Sequence, residues 1–272
     1  VSAPVPRGPT ASDADTENVF RREANPLSVP RSIAINVAAN TNLPGFRGPI
    51  GPSGRFEYVP IPERAATRGA VPTYADLDLR IEIPDGVADV PVHLDPEFAT
   101  YPSCERYTYG DEHGVKAGPL SELKPDDSLF FYATLSYSGH PDERAEWIAP
   151  DWGAYLIGEF RVETAVTGRE YERLPAAERA RFSNNAHVKR DPFDAKVLVA
   201  GGDGSRLYDR AVPLSSREVG AEANRLVTEL SNDSGRGPWW RRRLWFDENA
   251  TVELRRIVAD GDRAAPFGAE NR

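Results

Sequence analysis

Two stretches of nearly unbroken apolar character, Leu129 to Tyr137 (LFFYATLSY) and Ala154 to Val162 (AYLIGEFRV), frame this 272-residue chain. Their length and aromatic content predict two adjacent core strands. Ser32 to Ala38 (SIAINVA) alternates apolar with polar positions and predicts a half-buried strand that opens the fold. Arg55 to Glu63 (RFEYVPIPE) predicts a further strand, confined to an edge where Pro60 and Pro62 cannot donate to a ladder. Lys196 to Ala200 predicts a short buried strand ahead of the turn at Gly201 to Ser205. Helical patterns take over elsewhere. Gly118 to Leu123 predicts a short helix, and Glu170 to Phe182 a longer one with Pro175 near the start of its regular part. Ser215 to Glu218 resembles a capping box that starts a helix ending near Ser231, with Val219, Ala223, Leu226, Val227 and Leu230 on one face. Asn249 to Asp260 predicts a final helix with Val252, Leu254, Ile257 and Val258 inward.

These elements predict an α+β protein with a mostly antiparallel, barrel-like central sheet and flanking helices. Residues 1–30 are rich in Pro, Ala, Ser and acids without periodicity and read as a loosely attached arm. A main domain over 31–214 and a C-terminal helical extension over 215–272 complete the organisation.

Hydrophobic residues make up 40% of the chain, enough for a real core. No apolar run reaches the roughly 18 residues of a membrane span, and the start does not resemble a secretory signal, so a soluble, cytoplasmic protein is expected. Cys104 is the only cysteine, which excludes an intrachain disulfide and a cysteine-cluster zinc site. Acidic residues outnumber basic ones 42 to 33, and Lys116, Lys124, Lys189 and Lys196 are the only lysines. That balance resembles the proteins of halophilic archaea; a GC-rich genome would favour arginine over lysine equally well. Stacking and base-edge contacts survive salt better than phosphate contacts, so the acidic total does not exclude a nucleic-acid ligand.

Chemistry concentrates in a few polar segments. Ser183 to Arg190 (SNNAHVKR) gathers Asn184, Asn185, His187, Lys189 and Arg190 in what reads as a loop leaving the sheet. The amides suit a Watson–Crick edge, the cations a phosphate, and the imidazole acid–base work. His93, Asp95 and Glu97 stand at two-residue spacing and would share one face of a strand. A metal would need a further donor such as His187, His113 or Asp111, while Pro96 favours a turn with Asp95 as a cap. Tyr109 and Asp111 lie in an aromatic loop, and Asn40 to Arg47 forms a Gly/Pro-rich loop directly after the first strand. Trp239, Trp240, Arg241 and Arg242 interleave aromatics with cations, a pattern that grips nucleic acid or packs on the sheet with equal ease. The run Gly201 to Ser205 lacks the Gly-Lys-Ser/Thr ending of a phosphate loop.

Four ordered segments resemble the nucleotide modification associated domain 3 family. They are Pro49 to Arg55, Val59 to Glu63, Thr73 to Leu77 (TYADL) and His93 to Glu97 (HLDPE), followed by Pro125 to Tyr132 and by Asn185 to Val188. The similarity runs from Ser32 to Val212. It departs from the family pattern at Ala38 to Asn42, where basic residues are missing, and at Asp126, where a glycine is usual. The two long strands are also similar, over a shorter motif, to PUA-like barrels of the EVE and YTH groups.

The resemblance implies binding or processing of a modified nucleotide base in a DNA-modification or defence system, with nucleic acid and other modification or restriction proteins as partners. The expected pocket takes Asn40, Asn42 and Arg47 from the first loop, Tyr74 and Asp76, and Tyr109 with Asp111. Asn184, Asn185, Lys189 and Arg190 complete it, with His187, His93 and Asp95 as the catalytic candidates. Enzyme, base reader and structural subunit of a modifying complex all remain open at this stage, as do cofactor and metal.

Overall fold

The computed structural model describes residues 31–261. The expected N-terminal arm lies outside them. Among the described residues ten strands occur in the order β1 (Ser32–Asn36), β2 (Pro49–Ile50), β3 (Ile61–Pro62), β4 (Val92–His93), β5 (Thr108–Asp111), β6 (Ser128–Tyr137), β7 (Trp152–Thr167), β8 (Val197–Gly201), β9 (Arg206–Pro213) and β10 (Leu244–Phe246). Eight of them form one sheet whose main path is β10-β1-β6-β7-β8-β5, with β2 beside β6 and β9 beside β7. Pairing is antiparallel except where β1 and β2 run parallel to β6. β3 and β4 make a separate antiparallel pair.

The sheet is covered on both faces, which explains why LFFYATLSY reads as a continuous apolar run rather than an alternation. Leu129, Phe131 and Ala133 point into one core with Ile33, Ile35, Phe98 and Phe160. Phe130 and Tyr132 point the other way, toward Leu226, Trp239, Leu254 and Ile257. Phe131 meets Phe98 and Phe160 edge-on at ring separations of 5.5 and 4.6 Å, each contact adding about 0.5–1.5 kcal/mol beyond area burial. The second face is closed by the helix Glu248–Gly261 and by β10, which pairs with β1 from Ser32 to Ala34. The first face is covered by the long irregular stretch between β1 and β5, and the candidate site lies there.

Several expectations change. No closed barrel is found among the described residues, because β10 and β5 end the sheet without meeting. The helix expected over 170–182 breaks into Gly168–Tyr171, Ala176–Arg179 and a 3-10 turn. Pro175, which has no N–H to donate, sits at the break as the cap of the second piece. The helix expected from Ser215 shrinks to Arg225–Thr228, capped by Asn224. Ser215 instead spends its hydroxyl on the Ala154 N–H and the Gly220 carbonyl, tying this segment to β7. Val219 and Val252 are exposed rather than inward. The short helix runs over Gly114–Ser121, earlier than expected. Among the described residues no helix is long and apolar enough to cross a membrane.

Candidate functional site

A cavity of about 240 Å³ opens where the end of β1, the β3–β4 pair, β5 and the helix Ala186–Lys189 converge. β5 supplies Tyr109 and Asp111, two residues apart and therefore on one side of the strand. The Tyr109 hydroxyl donates to Asp111 at 2.8 Å, and Lys116 pairs with the same carboxylate at 3.2 Å. β4 supplies His93, and the chain after it brings in Asp95. Far along the sequence, the helix Ala186–Lys189 delivers His187, with Arg190 just after it.

Asn185 is the joint between these parts. It is fully buried, its carbonyl caps the helix by accepting the His187 N–H at 3.0 Å, and its amide donates to Asp95 at 2.8 Å and to Thr108 at 3.1 Å. The Gly110 N–H donates to the same Asp95 carboxylate at 2.9 Å. Asp95 is thus fixed from β5, 15 residues away, and is not a cap for its own turn. Burial pushes the Asp95 carboxyl well up, the two donors pull it down, and Asp111 and Glu97 push it up again.

Each histidine is backed by a carboxylate. His93 Nδ1 lies 2.6 Å from Glu63, and His187 Nδ1 lies 2.8 Å from Asp194. Two lone pairs that close would repel, so each Nδ1 carries a proton, and in the neutral ring Nε2 is the acceptor. The rings stand edge-on with centroids 4.8 Å apart, and His187 Nε2 lies 3.8 Å from Asp95 Oδ2. Burial, with His93 and Arg190 adjacent, brings the His187 imidazole down to about 4 against the upward pull of its hydrogen bond to Asp194. Burial alone would raise Glu63, but hydrogen bonds from His93 and Arg190 outweigh it and hold the carboxyl at about 2.

Arg190 is the central cation. Its guanidinium reaches Glu63 at 3.0 Å, Glu112 at 2.6 Å and Asp194 at 2.7 Å. Glu63, Glu112 and Asp194 were not among the sequence candidates. Glu63 closes the Val59 to Glu63 segment, so a signal existed for it. Nothing local singles out Asp194, seven residues beyond the histidine it holds.

The remaining candidates scatter. Asn40 lines the cavity and also accepts the Asn42 N–H at 2.9 Å, while Asn42 faces solvent. Arg47 lies away from the cavity, 4.5 Å over the Trp152 ring. Tyr74 is buried and donates to the Pro60 carbonyl, and Asp76 is exposed and caps its own turn through Thr73. Glu97 parts from His93 and Asp95 to accept from Thr108, Asn184 and the backbone N–H of Glu105 and Arg106. Lys189 donates to Asn184, so these two side chains satisfy each other beside the cavity rather than in it. Trp239 is fully buried, Trp240 packs on Trp152 at 5.2 Å, Arg242 pairs with Asp233, and Arg241 is exposed.

Gly110 leaves no room for a side chain. An added Cβ would stand 2.7 Å from His187 Cδ2 and 3.0 Å from the Asn185 amide oxygen. Gly110→Ala is expected to cost about 1–3 kcal/mol as an overpacking substitution and to displace the His187 ring. Urea denaturation reads the first and imidazole ¹⁵N resonances the second; if neither moves, the neighbours give way freely and the packing argument fails.

One donor atom from each of His93, Asp95 and His187 lies within 4.8 Å of the other two, and Glu112, His187 and Asp194 form a second such group. In comparisons with known proteins, the family described as nucleotide modification associated domain 3 matches residues 31–257. No curated protein and no solved structure matches.

Proposed function

The chain belongs to the nucleotide modification associated domain 3 family, and from that membership we propose that its cavity holds a nucleotide base within a DNA-modification system. The observation that carries this reading is the convergence of His93, Asp95, Tyr109, Asp111, His187 and Arg190 on one cavity. They come from three separate segments, the first and last more than 90 residues apart, and the chain orders them with Asn185 and Gly110 rather than leaving them to solvent. A volume of about 240 Å³ admits a single base or sugar and not a duplex. A base in double-stranded DNA would therefore enter flipped out of its stack.

Within the cavity the histidine Nε2 atoms accept a proton or hydrogen-bond a base edge, and the carboxylate behind each ring stabilises the imidazolium that protonation would create. Tyr109 and Asp111 offer further polar contacts from β5. This arrangement suits processing of the base as well as recognition.

The test is binding of the purified full chain, at high KCl, to single-stranded oligonucleotides and nucleoside monophosphates with and without modified bases, each mixture then analysed by mass spectrometry. Saturable binding that falls by at least about tenfold in His187→Ala is expected, a loss of about 1.4 kcal/mol. A product of altered mass would extend the reading to catalysis. If the folded chain binds none of these ligands, the nucleotide reading is wrong.

A further inference from the structure

We propose that His93 Nε2, Asp95 Oδ2 and His187 Nε2 bind one first-row divalent transition-metal ion, with its remaining coordination positions open to the cavity. Geometry supplies the first argument. His187 Nε2 and Asp95 Oδ2 are 3.8 Å apart, and a donor from His93 lies within 4.8 Å of both residues' donors. An ion bonded at about 2.0–2.2 Å holds neighbouring donors roughly 3–4 Å apart, so only small shifts close the site.

The surroundings supply the second. A ligating histidine characteristically donates its other ring N–H to a carboxylate, and here both do, to Glu63 and to Asp194. Asp95 is held in a similar way: Asn185 and Gly110 donate to its Oδ1, the Gly110 N–H also reaches Oδ2 at 3.2 Å, and Oδ2 lies 3.8 Å from His187 Nε2. Their surroundings thus hold the three side chains in place before any ion arrives.

Charge supplies the third. Asp95, Asp111, Glu112, Glu63 and Asp194 surround the cavity, against Arg190 and Lys116. Five carboxyl groups stand against two cations, so acid stays in excess even when the buried Asp95 carboxyl holds its proton. Such a cavity repels a phosphate. A divalent ion offsets two of those charges and gives a phosphate oxygen, a base heteroatom or a water a position to occupy, a consequence that rests on the nucleotide reading although the site itself does not.

The second donor group is the poorer site. Arg190 already lies 2.6 Å from Glu112 and 2.7 Å from Asp194, where its guanidinium stands in for the cation. Two imidazoles and one carboxylate favour manganese, iron, cobalt, nickel or zinc over magnesium and calcium, which prefer oxygen alone.

The test is calorimetric titration of chelator-stripped full chain with Zn²⁺, Mn²⁺ and Mg²⁺, with no nucleotide present. One Zn²⁺ per chain is expected, with Mg²⁺ at least about 100-fold weaker. His93→Ala and Asp95→Asn should each weaken Zn²⁺ by at least about 100-fold, and Asp194→Asn by roughly 10–100-fold through the loss of its hold on His187. Glu112→Gln should lose less than Asp95→Asn; the reverse order places the ion in the second group and overturns the assignment. No saturable Zn²⁺ binding, or equal affinity in wild type and Asp95→Asn, also overturns it. Should a variant fail to fold, Co²⁺ added to wild type gives the deciding readout: visible bands that Zn²⁺ bleaches support the site, and their absence overturns it. A chain that binds one metal ion but no nucleotide refutes the proposed function and leaves the metal site standing.

Discussion

Arg190→Ala should be among the most damaging single substitutions in the chain, lowering stability by about 3–5 kcal/mol. The residue is buried, and it is the shared partner of Glu63, Glu112 and Asp194. Removing it strands carboxylates that cannot all recover a cation or water. The Nη atoms also pass 3.3 Å from His93 Nδ1 and 3.4 Å from His187 Nδ1, so the same change loosens both rings. Arg190→Lys should recover only part of the loss, because an ammonium keeps the charge but not the planar fork that spans three acceptors. Urea denaturation at neutral pH measures both variants. A loss below about 1 kcal/mol in the alanine variant, the size of an exposed ion pair, would mean that the network is solvated and holds nothing in place.

Trp239→Ala should cost about 3–5 kcal/mol as well, for a different reason. The indole is fully buried among Tyr132, Leu226, Leu244 and Leu254, and its Nε1–H donates to the Ala221 carbonyl at 3.0 Å. Truncation leaves a large cavity and an unpaired carbonyl on the second face of the sheet. Arg241→Ala, two positions on and exposed, should change stability by less than about 0.5 kcal/mol. Thermal or urea unfolding of the pair separates the two roles that the Trp/Arg segment offered in sequence. Equal stability of Trp239→Ala and wild type would return this tryptophan to the surface and to nucleic-acid contact.

The contrast between these two residues marks what a linear reading can reach. Trp239 and Arg241 belong to one short motif, yet one is core and the other faces water. The interleaving of aromatics and cations is the same in a nucleic-acid grip and in a sheet-packing segment, so only the partner surface distinguishes them. Pro175 shows a similar limit: its presence near a helix start was legible, but whether helix resumed before or after it depended on where the chain had to go next.

Local pattern located the central strands β1, β6, β7 and β8, because burial writes itself into the order of apolar residues, but β1, whose alternation predicted a half-buried strand, is buried on both faces since the small Ser32 and Ala34 are covered as well. It also determined His93, Asp95, Asp111, His187 and Arg190 as candidates, since those side-chain types carry chemistry wherever they stand. Tertiary structure decided their grouping. His93 and His187 are 94 positions apart and come within 4.8 Å through the β5–β8 pairing and a cap made by Asn185. Glu97, two residues from Asp95, goes elsewhere, to accept from Thr108, Asn184 and the backbone N–H groups of Glu105 and Arg106. Asp194 and Glu112 became part of the site because the fold brings both to the largely buried Arg190 guanidinium, although each carboxylate is itself partly exposed. Side-chain chemistry is a property of the residue, whereas proximity and desolvation are properties of the folded chain.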